Sequence, residues 1–248
     1  MKKIIVGILP TTNLNMKDDP YDDYYKFIDM YGKKIFESNG IPMGILLNNG
    51  ALNYSSLELC DAFLIQGGNK VEKFVYETIY YCIKKNKPLL GICNGAQALA
   101  IFSAIFEQMD KNKNYEIDEI MNIYQNLKKE YDGSLLRKID EPNIHFNIVN
   151  RTNIDTSRHD IEIKKGSLLY SIYNKDKMSV TSLHSYDFKY VGEDFIITAT
   201  SEDGVAEAIE YKDKNYFILG VQPHPELEYD NLIFKRLIKE AERRNENV

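Results

Sequence analysis

The chain has 248 residues, 44% of them hydrophobic, and a net charge of −6. That length builds one large α/β domain with a sizeable core, or two small ones. The acidic balance, with no basic stripe, argues against a nucleic-acid partner, and no apolar run is long enough to span a membrane.

Residues 2–9 (KKIIVGIL) read as a first strand. The basic start followed by a short apolar run is not a signal peptide, because Gly7 and Pro10 interrupt the run and no small-residue cleavage site follows. Residues 21–38 read as a helix that stops at Asn39-Gly40. Strands follow at 42–47 and 62–66, a helix at 71–86 with Pro88 just beyond it, a strand at 89–93 and a helix at 94–108. This β-α-β rhythm predicts a parallel sheet. The strand at 89–92 is apolar on both faces and belongs at the sheet centre. The helix after it is apolar nearly all round and belongs in the interior.

Residues 110–132 are polar, yet Ile117, Ile120, Met121, Tyr124, Leu127 and Tyr131 share one helical face. An insertion helix packed on the core accounts for this; a lid or partner-docking helix is the alternative. The second half changes style, with short strands at 160–163, 179–183, 195–201, 206–211 and 217–222 and a closing helix near 228–244. The turns between the last three strands predict antiparallel hairpins added to the parallel core. No linker, composition break or repeat divides the chain, so residues 1–248 read as one domain. The three cysteines are widely spaced and odd in number, which fits a reducing cytoplasm better than a disulfide framework. Cys82 shares a helical face with Val75 and Ile79, and Cys60 precedes the run AFLI, so both read as core. With no CxxC and no close His/Cys pair, no metal site is expected.

The third cysteine stands differently. In PLLGICNGAQ, Cys93 sits where a strand turns into a helix, flanked by Gly91 and Gly95. There a thiol projects from the carboxyl edge of the sheet, beside a helix N-terminus that favours thiolate. The spacing follows the logic of the hydrolase elbow, with sulfur in place of oxygen. Of the four histidines, His145 and His159 read as surface or structural residues. His224 follows a strand directly, in GVQPHPE. With Pro223 and Pro225 holding the chain extended, His224 and Glu226 would project to one side, the carboxylate fixing the imidazole tautomer. Cys93, His224 and Glu226 then form a nucleophile, base and acid relay. A third strand end carries Gly67-Gly68, where the Gly68 N–H and the Asn94 N–H are natural oxyanion donors.

With these three strand ends in place, the sequence resembles the class I glutamine amidotransferase superfamily and, within it, the γ-glutamyl-γ-aminobutyrate hydrolase-like branch (peptidase C26). The elbow matches at Gly91, Cys93, Gly95 and Gln97, the His-x-Glu motif at His224 and Glu226, and the oxyanion strand at Gly67 and Gly68. Branch-like segments occur at 159–172, 180–188 and 199–210. The resemblance implies a single-domain flavodoxin-like α/β fold, with a mostly parallel sheet flanked by helices and antiparallel strands in the second half. It also implies hydrolysis of a γ-glutamyl amide through a thioester on Cys93, with no metal or organic cofactor. Gly67, Gln97, His184 and Ser185 would hold the glutamyl group of a small γ-glutamyl amide or of glutamine. Asn94 replaces the family's usual Arg, Ser185-Tyr186 its His-Gln, and Pro223 its Trp. These changes lie where substrate is chosen, so the amine side of the substrate stays open. A glutaminase subunit that feeds ammonia to a separate synthetase, and a non-catalytic binding protein, are the alternatives. The chain closes soon after Glu226, so no fused synthetase is expected. A homo-oligomer and a synthetase partner both remain open.

Overall fold

The computed structural model describes residues 3–13, 24–140, 144–146 and 157–246. The chain starts with β1 (Ile5–Leu9), β2 (Thr11–Asn13), β3 (Tyr24–Lys26), α1 (Asp29–Glu37), β4 (Ile41–Gly44) and α2 (Tyr54–Glu58). The alternating section continues with β5 (Ala62–Ile65), α3 (Lys73–Lys85), β6 (Leu89–Ile92) and α4 (Asn94–Glu107), and α5 (Ile117–Glu130) follows. The second half holds β7 (Leu136–Lys138), β8 (Arg158–Ile163), α6 (Leu168–Tyr173), β9 (Lys177–Thr181) and β10 (Tyr186–Phe188). It closes with β11 (Phe195–Ser201), β12 (Ala206–Tyr211), β13 (Ile218–Val221), a 3-10 turn at Pro225–Leu227 and α7 (Leu232–Asn245).

Among the described residues, nine strands form one sheet in the order β4-β1-β5-β6-β13-β12-β11-β8-β9. The first five run parallel, and the rest join by antiparallel pairing. This is the α/β architecture the pattern predicted. β5, β6 and β13 are buried along their whole length, as central parallel strands covered on both faces must be. On one face α3, α4 and α5 enclose a core that includes Phe74, Ile79, Leu99 and Phe102. On the other, α1, α6 and α7 close over Val6, Leu64, Leu90 and Leu219. Residues Asn94–Phe106 of α4 are all buried, which explains why this helix is apolar on every side.

Two helix ends follow their stop signals. Asn86 ends α3 in the left-handed conformation, and the Lys87 N–H returns to Cys82 O at 2.9 Å, ahead of Pro88. The Gly40 N–H returns to Ile35 O at 2.9 Å after α1. The face read on α5 packs as expected, with Ile120 and Leu127 buried and the Tyr124 ring 5.3 Å from Tyr76.

One predicted helix is shorter than expected. Residues 21–23 lie outside the described residues, and 24–26 form β3, a strand antiparallel to β2, rather than the first turn of a helix over 21–38. Tyr24 and Tyr25 have strand propensity, and the pairing with Thr11–Asn13 satisfies backbone groups a frayed helix end would leave open. The Gln66 side chain fixes this hairpin. Its Nε2 donates to Leu9 O (2.9 Å) and Lys26 O (2.8 Å), and its Oε1 accepts from the Ile28 N–H (3.0 Å) at the start of α1.

Candidate active site

Because β5, β6 and β13 are adjacent and parallel, their carboxyl ends meet at one edge of the sheet. β5 delivers Gly67 and Gly68, β6 delivers Cys93, and β13 leads to His224. All of these residues, with Glu226 and Asn94, line one cleft of about 730 Å³.

Cys93 has φ 52° and ψ −105°, outside the regions an L-residue normally occupies. Such strain, about 1–3 kcal/mol, persists only where the surroundings over-determine the backbone. Here they do. The Cys93 N–H extends the ladder to Val221 O (2.8 Å), while its carbonyl already accepts from Ala96 and Gln97 N–H at 3.0 and 3.1 Å. The helix starts so close to the sheet that a Cβ on Gly91 would lie 2.6 Å from Gly95 O, and one on Gly95 would lie 2.5 Å from Ile65 O. Only glycine fits at either position. The thiol is almost covered, and Sγ lies 3.9 Å from Leu183 O.

His224 Nδ1 donates to Glu226 Oε1 at 2.6 Å, which leaves Nε2, buried and without a hydrogen-bond partner, free on the ring's other side. The pair meets for a different reason than the extended chain expected from sequence. Pro225–Leu227 is a 3-10 turn, closed by the Leu227 N–H on His224 O (3.0 Å), and the turn folds Glu226 back onto the imidazole. Burial would lower the pKa of His224, but Glu226 and then Cys93 outweigh it and raise it to about 10. Behind the ring, the His224 N–H donates to Thr181 O (2.9 Å). Glu228 anchors that strand end, accepting from Thr181 N (2.9 Å) and Oγ1 (2.8 Å) and from Arg158 Nη1 (2.9 and 3.0 Å).

At the third strand end, a Cβ on Gly67 would meet the Tyr31 hydroxyl at 3.0 Å, His224 Cε1 at 3.2 Å and Cys93 Cβ at 3.5 Å. The Gly67 N–H donates to the Tyr31 hydroxyl (3.0 Å). Tyr31 has no signal of its own in the sequence. It is fully buried against the Glu226 carboxylate, and burial, with Glu226 next, pushes its phenol well above the ordinary value. As the first residue of α4, Asn94 has an N–H with no acceptor inside the helix. The cleft rim carries Thr11, Asn13, Tyr24, Lys26 and Lys70, none of which stood out as site residues in the sequence.

Not every residue assigned to substrate binding lies there. Gln97, His184 and Ser185 do not line the cleft. Gln97 is buried, its Nε2 donating to Gln222 Oε1 (3.2 Å). The Ser185 carbonyl accepts from the Ile139 N–H (3.0 Å). His184 turns inward instead, toward Glu207 on β12. His145 and His159 turn toward the same carboxylate, so the surface reading of these two histidines gives way to a buried one. Burial would raise the pKa of Glu207, but the three imidazoles that face it hold its carboxyl far below the usual range.

The peptidase C26 family profile matches residues 73–226. A glutamine amidotransferase-like protein of Rickettsia prowazekii is 28% identical, over 96% of this chain and 98% of its own. Another, from Lactococcus lactis, is 25% identical over 95% and 96%. The CTP synthase of Methanosphaera stadtmanae is 27% identical over 79% of this chain, which spans 36% of that protein. Among solved structures, the glutaminase domain of Trypanosoma brucei CTP synthase with bound acivicin superposes with a TM-score of 0.66 at 14% identity, covering 97% of this chain and 94% of that one. A glutamine amidotransferase of Thermotoga maritima does so at 0.58 and 15%, covering 98% of each. The chain belongs to the peptidase C26 family, within the class I glutamine amidotransferase-like superfamily.

Proposed function

We propose that the protein hydrolyses a γ-glutamyl amide through a γ-glutamyl thioester on Cys93. The observation that carries this reading is the meeting of three strand ends in one cleft: a strained Cys93, the His224–Glu226 pair at 2.6 Å, and Gly67 packed against both. In the proposed reaction the Cys93 sulfur attacks the side-chain carbonyl while its proton is held on His224 Nε2. The Gly68 and Asn94 N–H groups receive the developing oxyanion. His224 passes the proton to the leaving amine, then takes one from the water that cleaves the thioester. Glu226 keeps Nδ1 protonated and the ring in place. The cleft, with Lys26, Lys70 and Asn13 on its rim, is large enough for a glutamyl group and a substituent on the amide nitrogen. The three cysteines are free thiols, which fits our assignment to a reducing cytoplasm.

The test is a panel of γ-glutamyl amides and glutamine, followed by amine release, with a glutamine-like electrophile such as acivicin as active-site label. Release of amine, and an adduct mapped to Cys93 by mass spectrometry, are expected. If no member of the panel is cleaved and the electrophile does not modify Cys93, the reading is wrong. The second reading, a glutaminase subunit that delivers ammonia to a separate synthetase, is favoured by the similarity to CTP synthases. It predicts weak glutamine turnover alone and strong activation by a co-purifying synthetase.

A further inference from the structure

We propose that His145, His184 and Glu207 form a buried binding site for one divalent transition-metal ion, zinc by preference, behind the wall of the Cys93 cleft, with His159 beside it on the Glu207 carboxylate. The four residues come from four separate segments: the stretch 144–146, β8, the link between β9 and β10, and β12. The side chains of His145, His184 and Glu207 are completely buried, and that of His159 is 7% exposed.

The outer nitrogen of each ring faces a group that can only accept. His145 Nε2 lies 3.0 Å from Asp203 Oδ2, His159 Nδ1 3.3 Å from Ile144 O, and His184 Nδ1 3.1 Å from Tyr186 O. A neutral imidazole carries one N–H, and for His145 and His184 these partners hold it on the outer side. The inner nitrogens of these two rings then present lone pairs to the carboxylate on which all three rings converge, while His159 Nε2 is hydrogen-bonded to it at 3.1 Å. The distances to the Glu207 oxygens are 3.2 Å from His145 Nδ1, 3.1 Å from His159 Nε2 and 3.4 Å from His184 Nε2. Lone pairs facing lone pairs in a buried space need positive charge between them.

Two sources could supply it: extra protons on the rings, or a cation. Three imidazolium rings, with His145 centred 4.5 Å from His159 and 4.9 Å from His184, would crowd like charges in a desolvated interior. Protons would also need aligned hydrogen bonds. Apart from His159 Nε2 on Glu207 Oε1 (3.1 Å), they are missing: His145 Nδ1, His184 Nε2 and Glu207 Oε2 have none, although each lies within 3.2–3.4 Å of the cluster's opposite atom. A metal ion at the common focus satisfies all of them. Zinc–nitrogen and zinc–oxygen bonds of about 2.0 Å imply ligand-to-ligand edges of about 3.3 Å in a tetrahedron, and the His145 and His184 inner nitrogens lie 3.2 and 3.4 Å from a Glu207 oxygen. The ligand atoms of His145, His184 and Glu207 all lie within 4.8 Å of one another. The outer partners, Asp203 included, are of the kind that orient metal-bound histidines. Two imidazoles and a carboxylate suit zinc, iron, cobalt or nickel rather than calcium or magnesium.

The ion would brace the cleft. His145 and His184 are direct neighbours of Phe146 and Leu183, and His159 lies two residues after Ser157; all three neighbours line the cleft. Phe146 bridges to Leu183, the His184 N–H donates to His145 O (2.9 Å), and Leu183 O faces Cys93 Sγ. The ion therefore holds the wall opposite the thiol and takes no part in the bond cleavage.

The test uses the full chain, purified without an affinity tag that binds metal, from cells grown with added zinc. Elemental analysis for zinc, iron, manganese, cobalt, nickel and copper is expected to find about one ion per chain that survives dialysis. X-ray absorption should show a nitrogen/oxygen first shell at about 2.0 Å with imidazole scattering beyond it. The variants H184Q and E207Q should lose the ion, while C93S keeps it; D203N should weaken binding by about 10–100-fold. A variant that fails to fold is replaced by the wild-type apoprotein loaded with cobalt, which should give the visible bands of a tetrahedral site without a thiolate charge-transfer band. Metal-free protein that takes up neither zinc nor cobalt overturns the proposal, as does metal that stays in H184Q and E207Q but leaves in C93S.

Discussion

Gly95 gives the sharpest test of how the elbow is built. It is the second residue of α4, where alanine is ordinarily the better choice by about 1 kcal/mol. In this structure a Cβ there would lie 2.5 Å from Ile65 O and 3.0 Å from Ile65 Cβ. The carbonyl belongs to a buried central strand and cannot rotate aside, so α4 must lift by about 1 Å to restore contact distance. Overpacking of this kind costs about 1–3 kcal/mol and exceeds the gain in helix propensity. Gly95→Ala is therefore expected to destabilise by about 1–2 kcal/mol, measured by denaturant unfolding followed by circular dichroism. Because Cys93 rides on the same turn, a shift of about 1 Å should also lower turnover of the preferred γ-glutamyl amide about 10²-fold. Gly32 is the matched control. It lies inside α1, and an added Cβ would meet nothing closer than Pro42 Cβ at 3.8 Å, so Gly32→Ala should stabilise by about 1 kcal/mol. A Gly95→Ala protein as stable as the wild type, or one that turns over at the wild-type rate, would refute the close helix-on-strand account of the elbow.

Three further outcomes are expected. Cys93→Ala should abolish turnover and acivicin labelling while leaving the circular dichroism spectrum and folding intact; residual turnover would remove Cys93 from the mechanism. Glu226→Gln should lower the pKa of His224 from about 10, since burial then acts with less opposition, and should cut kcat about 10³-fold; an NMR titration that leaves the His224 midpoint in place counts against the pairing. The linked stability has a definite sign. The folded pKa lies above the ordinary histidine value, so the His224 contribution is complete below about pH 6.5 and is lost as pH rises toward 10. The stability gap between wild type and Glu226→Gln should shrink over that range, and a gap that widens would contradict the assignment. Tyr31→Phe removes the acceptor of the buried Gly67 N–H and should destabilise by about 1–3 kcal/mol, with kcat reduced more than KM; a silent substitution would show that Tyr31 does not position the strand end.

The local patterns carried much of the fold. Apolar runs of strand length separated by helical periodicity marked β1, β5, β6, α3 and α4, because these elements are buried on most or all of their residues. The turn glycines and the proline-flanked histidine marked three strand ends that the parallel pairing then placed side by side. Short elements were missed. α2, β7, α6 and β10 have three to six residues each, too few for a period to show. β3 was read as helix because its partner β2 lies more than ten residues away in sequence and pairs with it only in the folded chain. The His224–Glu226 contact was anticipated, but the 3-10 turn that makes it was not.

The sequence by itself determined the alternation of the longer strands and helices, and the presence of a cysteine, a histidine-glutamate pair and a double glycine at strand ends. These are properties of short windows, where neighbouring residues decide the backbone. Only the tertiary structure decided what surrounds them: Tyr31 behind Gly67 and Glu226, the hairpin held by Gln66, and the convergence of His145, His159 and His184 on Glu207. Those contacts join residues that strand pairing brings together across dozens of positions, with a partner set by sheet register and no pattern within any one segment to announce it.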